Sequence, residues 1–212
     1  MEWQVWLTFF GAAIAISVSP GAGAIQSMAT GLTHGVRRGY WSILGLEIGL
    51  MLQLALVAVG LGAAVASSIL AFTIIKWIGV AYLVYLAVRQ WRTAAIDLRE
   101  QVGRAFDGGR LSLMVRGFLV NATNPKGLVF FIAVLPQFVV PTAPLLPQYL
   151  AIGVTMVAVD LVVMGLYTGL SVRLLKWLHT PRRQTVLNRV FSGLFATAAV
   201  ALSLVRRVAV TA

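Results

Sequence analysis

Apolar residues in this chain gather into six long blocks: Trp3 to Met28, Tyr40 to Ala64, Ala71 to Val88, Val115 to Val140, Gln148 to Leu170 and Asn188 to Val205. About 20 predominantly apolar residues suffice for one helical crossing of a bilayer. The pattern therefore predicts an all-α polytopic membrane protein with six transmembrane helices. Two blocks are longer than the rest and are interrupted in the same manner. The first carries Ser19-Pro20-Gly21-Ala22-Gly23, the fourth Asn121-Ala122-Thr123-Asn124-Pro125-Lys126-Gly127. In each, an N-cap residue stands directly before proline, the signature of a helix start. Spans one and four are thus expected to be broken helices that restart inside the membrane. Paired interruptions in two halves of a membrane protein point to a transport site.

The order of the blocks suggests how the halves relate. Three spans precede a polar linker and three follow it. The chain reads as one transmembrane domain, with a first half over 1–89, a cytoplasmic linker over 90–114 and a second half over 115–212. An odd number of spans per half makes the second half enter from the opposite side, a 3+3 inverted-topology repeat. Pro20 lies about ten residues from the inner end of its span and Pro125 about ten from the inner start of its own. At about 1.5 Å per residue the two breaks would meet at similar depth. Small residues recur at four-residue spacing, as Gly11, Ala15, Ser19 and Gly23, as Gly45 and Gly49, and as Gly165 and Gly169. Such rows let helices approach closely in lipid, and bundle packing is reason enough for them.

Composition sharpens this reading. The chain is 59% hydrophobic and 11% charged, against about a quarter charged in soluble domains. A net charge of +11 would suggest nucleic-acid binding until it is mapped. Thirteen of the 17 basic residues fall on one side of the six spans. They are Arg37 and Arg38, then Arg89, Arg92, Arg99, Arg104, Arg110 and Arg116, then Arg173, Lys176, Arg182, Arg183 and Arg189. The connections on the other side, Val65 to Leu70 and Pro141 to Pro147, carry none, and Arg206 and Arg207 alone break the pattern. The basicity is a topology signal, with some attraction to anionic membrane lipid, and no nucleic-acid partner is expected. The positive-inside rule places both termini outside. The small-residue run Ala22-Gly23-Ala24 resembles a signal-peptide cleavage site, but Glu2 stands where a basic n-region would be.

Candidate chemistry follows from the breaks. Proline removes one backbone donor and displaces the carbonyl four residues back, which frees Ile16 at Pro20 and Asn121 at Pro125. Bare carbonyls in lipid cost several kcal/mol unless they face protein or water. The restarted half-helices add free N–H groups at a positive dipole end. Donors for an anion and acceptors for a cation then lie close together, which suits an α-amino acid. Pro20, Gly21, Gly23, Asn121, Asn124, Pro125 and Lys126 are the candidate substrate-binding residues, with Thr123 a further neutral group. A kink satisfied by neighbours and water is the structural alternative at each proline.

Four ionisable residues fall within the spans: Glu47, Lys76, Lys126 and Asp160. Such groups normally face the bundle interior. Asp160 is too deep and too short to snorkel. Desolvation disfavours a charged carboxylate, so Asp160 is a candidate proton carrier. Glu47, nearer the inner face, is the second candidate and reaches the interface more easily, while Lys76 can snorkel outward. Of only three lysines among 17 basic residues, two are inside spans. Lys126 is open to two roles, contacting a substrate carboxylate or pairing with Asp160 or Glu47. The absence of cysteine excludes disulfides, thiolate metal sites and a cysteine nucleophile. His34 and His179 lie in predicted loops or span ends. No metal, cofactor or catalytic residue is expected, and an intramembrane enzyme ranks last. An inorganic-cation exporter would need more carboxylates or His/Cys ligands. A channel or facilitator would show rings of like charge or filter repeats.

The motifs resemble the lysine-exporter-type family of amino-acid efflux proteins over almost the whole chain. The resemblance rests on SPGAGA at Ser19 to Ala24, KWIGVAYLVYLA at Lys76 to Ala87 and NATNPKGLVFFIAVLPQF at Asn121 to Phe138. LTHGVRRG at Leu32 to Gly39, GLEIGL at Gly45 to Leu50 and VDLVVM at Val159 to Met164 bring it nearest the homoserine and homoserine-lactone exporters of that family. The resemblance implies a bacterial inner-membrane exporter driven by proton antiport, with homoserine, threonine, homoserine lactone or a similar small amino acid as substrate. It maps the family's Pro-Gly motif onto Pro20, Gly21 and Gly23, its Asn-Pro-Lys motif onto Asn124, Pro125 and Lys126, and its intramembrane acid onto Asp160. Close members have a neutral residue, often Gln, where this chain has Glu47, which implies altered proton coupling or substrate charge preference. A homodimer is compatible with so small a transporter, though no feature demands one.

Overall fold

The computed structural model describes residues 3–67, 69–93, 108–140, 142–178 and 180–204. Arg99 and Arg104 of the linker, His179, Arg206, Arg207 and Glu2 lie outside the described residues, as does the side chain of Lys76. All described elements are α-helices: α1 (Trp3–Val18), α2 (Ala22–Ser67), α3 (Ile69–Arg92), α4 (Arg110–Ala122), α5 (Pro125–Phe138), α6 (Leu145–Gly169), α7 (Ser171–Leu178) and α8 (Pro181–Leu204).

Both expected interruptions are present. Helix α1 stops at Val18 and α2 begins at Ala22, leaving Ser19 to Gly21 outside helix. At the second, Asn124 is extended (φ −76°, ψ 109°), its side chain accepts from the Lys126 N–H, and Pro125 occupies the first helical turn. Proline needs no partner there, and Asn is among the best caps. Helices α4 and α5 meet at this break with a bend of 49°.

The first loop differs from expectation. Instead of a polar connection around Arg37 and Arg38, helix runs through both, interrupted only at Gly35, where φ is 72° and ψ 173°. That backbone conformation is open to glycine and strained for any other residue. Gln26 Nε2 donates to Ser42 Oγ at 3.2 Å. Sixteen residues of continuous helix would separate those two by about 24 Å, so the chain folds back sharply at Gly35. The restarted half-helix therefore extends from Ala22 past the expected Met28 to the Gly35 corner. A further short helix, α7, takes up part of the expected connection before α8.

By length and apolarity, two stretches among the described residues reach what a crossing needs, one within Ala22–Gly60, which is folded at Gly35, and Leu145–Gly169, and the bent pair α4–α5 makes a third. Helix α1 is apolar but shorter. Packing is mostly between the two halves: α2 lies against α4 and α6, and α3 against α8. Glycines set the closest of these approaches. A side chain at Gly45 would collide with the Met114 carbonyl, and one at Gly117 with the Ser42 carbonyl. The expected Gly45 and Gly49 row is thus the seam between α2 and α4, and Gly165 faces Tyr40 of α2. Gly11 has nothing within 4 Å of its would-be Cβ, so the first row is not a continuous packing seam. The core centres on Phe9, Ile43, Leu46, Phe131, Leu135 and Ile152. Phe9 of α1 meets Phe138 of α5 edge-on at 5.3 Å.

Candidate functional site at the two helix breaks

The two breaks come together, and each is held by residues of the other half. Lys126 at the start of α5 reaches across to the first break. Its ammonium donates to the carbonyl of Ile16 at 2.9 Å and of Ser19 at 2.6 Å. Ile16 is the carbonyl that Pro20 leaves without its helical donor. The sequence left Lys126 between a substrate carboxylate and an acidic partner, and the structure places it on backbone oxygen. Tyr167 of α6 donates to the carbonyl of Val18 at 2.7 Å. Phe9 pairs with Phe138 while Ile16 and Ser19 meet Lys126, so α1 and α5 run antiparallel away from the breaks.

The second break is clasped by Gln53 of α2. Its amide nitrogen donates to the carbonyls of Asn121 and Asn124, each at 2.8 Å, and to that of Ala122 at 3.3 Å. Asn121 in turn donates from Nδ2 to the Leu46 carbonyl at 2.8 Å. Gly127 lies so close to Gln53 Oε1 that a Cβ there would clash with it. Tyr82 of α3 donates to the Pro125 carbonyl at 3.4 Å. Sequence reasoning passed over Gln53, Ser17, Tyr82 and Tyr167. For Gln53 a signal existed: from Gly45 to Gly60, Glu47 and Gln53 are the only side chains able to hydrogen-bond strongly.

Two cavities adjoin the breaks. The inner one, about 50 Å³, is walled by Ile16, Ser17, Ser19, Lys126 and Asp160, with Gly21, Gly23, Asn121 and Asn124 also contributing. It has room for a few waters and none for an amino acid while Lys126 holds its place. The outer one, about 430 Å³, lies within the usual size of small-molecule sites. It borders Pro20, Gly21, Pro125 and Lys126 and reaches Arg89 and Thr93 at the end of α3 and Gln184 and Asn188 near the start of α8. It therefore extends from the breaks towards the basic end of the bundle.

The acids are buried. Asp160 sits in α6 beside Ser17, within electrostatic reach of Lys126 and against Glu47. Glu47 is 5% exposed, so it does not reach the interface as the sequence suggested. At about 100° per residue it faces away from the Gly45 and Gly49 seam, and it is buried because that opposite face of α2 packs on α6, which carries Asp160. Glu47 lies behind Asp160 and not on the inner cavity wall. Ser17 Oγ, Ser19 Oγ, Gln53 Oε1 and both Glu47 oxygens have no hydrogen-bond partner of good geometry. Burying such groups costs free energy unless something pairs with them. Every candidate from the sequence is thus placed: Gly21, Gly23, Asn121, Asn124, Lys126 and Asp160 around the inner cavity, Pro20 and Pro125 at the outer one, and Glu47 one layer back. No cluster of metal-ligating side chains occurs among the described residues.

Apolar helices, a polar core and cavities at broken helix ends define a multi-pass membrane protein. More specifically, the chain belongs to the LysE type translocator family, which matches residues 14–206; it is a transporter and not an enzyme. It is 44% identical over 196 residues to the homoserine/homoserine lactone efflux protein of Salmonella typhimurium, covering 92% of this chain and 94% of that protein. It is 40% identical over 195 residues to an uncharacterized membrane protein of Vibrio cholerae, covering 92% and 94%. A leucine efflux protein of Klebsiella pneumoniae is 25% identical over 134 residues, 63% of each chain. No solved structure matches the chain.

Proposed function

We propose that this protein exports small neutral amino acids of the homoserine class, homoserine, threonine or homoserine lactone, from the bacterial cytoplasm by proton antiport. The observation that carries the reading is the meeting of both helix breaks with Asp160 around one cavity. Two backbone carbonyls, two half-helix N-termini and a carboxylate lie together there, the complement of an α-amino acid. The homoserine/homoserine lactone efflux relative favours this substrate class, and the leucine efflux relative favours amino-acid export more broadly.

In this reading the two three-helix halves, 1–89 and 115–212, form a six-span inverted repeat joined by the cytoplasmic linker 90–114, with both termini periplasmic in the inner membrane. The packing of α2 on α6 and α3 on α8 supports that symmetry, because these are equivalent spans of the two halves. The antiparallel course of α1 and α5 supports it too. The outer cavity is the cytoplasmic vestibule, and its Arg89 draws in the substrate carboxylate. At the breaks, the carboxylate of an amino acid, or the ring carbonyl of the lactone, meets the N–H groups at the starts of α2 and α5, where the helix dipole is positive. The ammonium turns to the carbonyls of Ile16 and Ser19 and to the Asp160 carboxylate. A proton arriving at Asp160 from outside neutralises that carboxylate, weakens its hold on the ammonium and releases the substrate outward. Glu47, against Asp160, is the second carboxyl over which that proton is shared.

The test is efflux from proteoliposomes under an imposed proton gradient, offering homoserine, threonine, homoserine lactone and lysine to the wild type and to Asp160→Asn. Gradient-driven movement of homoserine or threonine, lost in the variant, is expected. Full proton-coupled efflux by Asp160→Asn would sink the antiport mechanism. Movement indifferent to the gradient would make the protein a facilitator.

A further inference from the structure

We infer that the carbonyls of Ile16 and Ser19 form a seat for a primary ammonium group, and that Lys126 fills it in the empty transporter as a tethered competitor which the substrate's own ammonium must displace. The inference rests on the amino-acid reading above and adds a residue that sets apparent affinity.

The seat is a product of the first break. Pro20 strips Ile16 of its helical donor, and Ser19 lies outside helix, so two acceptors converge where no backbone N–H answers them. Lys126 answers both, at 2.9 and 2.6 Å. An ammonium carries three donors on a compact head, and the Lys126 head is chemically the same group as the α-ammonium of an amino acid. Ser19 Oγ, buried on the wall of the same cavity, has no hydrogen-bond partner of good geometry, and Ser17 Oγ on that wall faces Asp160. The seat therefore has acceptor capacity that one lysine does not exhaust. With Lys126 in place the inner cavity is about 50 Å³. Withdrawal of the side chain towards the outer cavity, which it also borders, would join the two spaces. The lysine is linked to the seat by four flexible carbons, and a Cβ at Gly21 would stand 3.4 Å from its Cδ.

A competitor that occupies the binding-competent state lowers apparent affinity by the fraction of time the seat is free. If Lys126 holds the seat for 90 to 99% of the time, removing its ammonium tightens substrate binding by about 10- to 100-fold. A lysine that instead gripped the substrate carboxylate would have the opposite effect.

The chain has no cysteine, so Lys126→Cys creates a single thiol that can be modified after the protein has folded. Aminoethyl methanethiosulfonate restores an ammonium of similar reach, and ethyl methanethiosulfonate supplies the same chain without its ammonium. Binding would be measured calorimetrically on the purified protein in nanodiscs, with ethylammonium as the probe of the seat and homoserine as the probe of the substrate. Ethylammonium is expected to bind the unmodified Cys variant and to fail on its aminoethyl adduct and on the wild type. Tetramethylammonium, which has no N–H, is expected to bind none of them. Homoserine is expected to bind the ethyl adduct about 10- to 100-fold more tightly than the aminoethyl adduct. Ethylammonium that ignores the Cys variant, or binds all forms alike, would overturn the seat. Homoserine bound equally or more weakly by the ethyl adduct would overturn the competition. Ethylammonium discrimination without homoserine binding to any form would support the seat and count against the amino-acid reading instead.

Discussion

At the first break the vacated carbonyls face a charged ammonium from the other half; at the second they face a neutral amide, also from the other half. Lys126 and Tyr167 reach from the second half to Ile16, Ser19 and Val18. Gln53 and Tyr82 reach from the first half to Asn121, Ala122, Asn124 and Pro125. The clasps are reciprocal, and their chemistry differs. Gln53 is 1% exposed, holds three carbonyls and is pressed against Gly127, with the Asn124 cap beside it. That break is braced from within the bundle, although Asn121 and Asn124 also border the inner cavity and Pro125 the outer one. Lys126 reaches two carbonyls on a flexible stem and stands between two cavities. The comparison teaches that matching proline motifs need not do matching work: the second break is braced, while the first is held by a group that a ligand of the same chemistry can replace.

If so, the two clasps should fail differently. Gln53→Leu keeps the bulk and removes the buried amide that three carbonyls share, leaving Asn121 and Asn124 only their backbone donors at 3.0 and 3.4 Å. We expect a loss of about 2 kcal/mol, on the scale of a few buried hydrogen bonds, read as lowered thermal unfolding of the detergent-solubilised protein. Lys126→Met should cost less, about 1 kcal/mol, because the bordering cavities admit water to the Ile16 and Ser19 carbonyls. A larger loss for Lys126→Met than for Gln53→Leu would invert the comparison and make the lysine the main brace. Smallest is Tyr167→Phe, which removes one bond to Val18 and keeps the ring, for which about 0.5–1 kcal/mol is expected by the same measurement. A Tyr167→Phe effect equal to that of Gln53→Leu would mean that the first break is braced after all.

Much of this arrangement could be read from the chain alone. The apolar blocks foretold an all-helical membrane protein, and helices start at Ala22 and Pro125, just after the capping residues Ser19 and Asn124. These are local matters: proline lacks an N–H, and the side chain before it caps the next turn. The corner at Gly35 was harder to see, since the surrounding residues, Arg37 and Arg38 included, suit a loop as well as a helix. Glu47 was misjudged for a different reason. Its distance along the span suggested an escape to the interface, but α2 is packed on both sides, with the glycine seam on α4 and the Glu47 face on α6 beside Asp160.

The sequence by itself determined where the helices break, which carbonyls lose their donors and that few buried groups carry charge, because each depends on residues within one turn. Only the tertiary structure decided what answers those carbonyls. A donor for Ile16 comes from a residue 110 positions away; Asn121 keeps the local N–H of Asn124 and gains a second donor from 68 positions away, and no local pattern encodes the distant partners. They are chosen by the packing of one half on the other, which is also what sets an ammonium, a carboxylate and two bare carbonyls around one space.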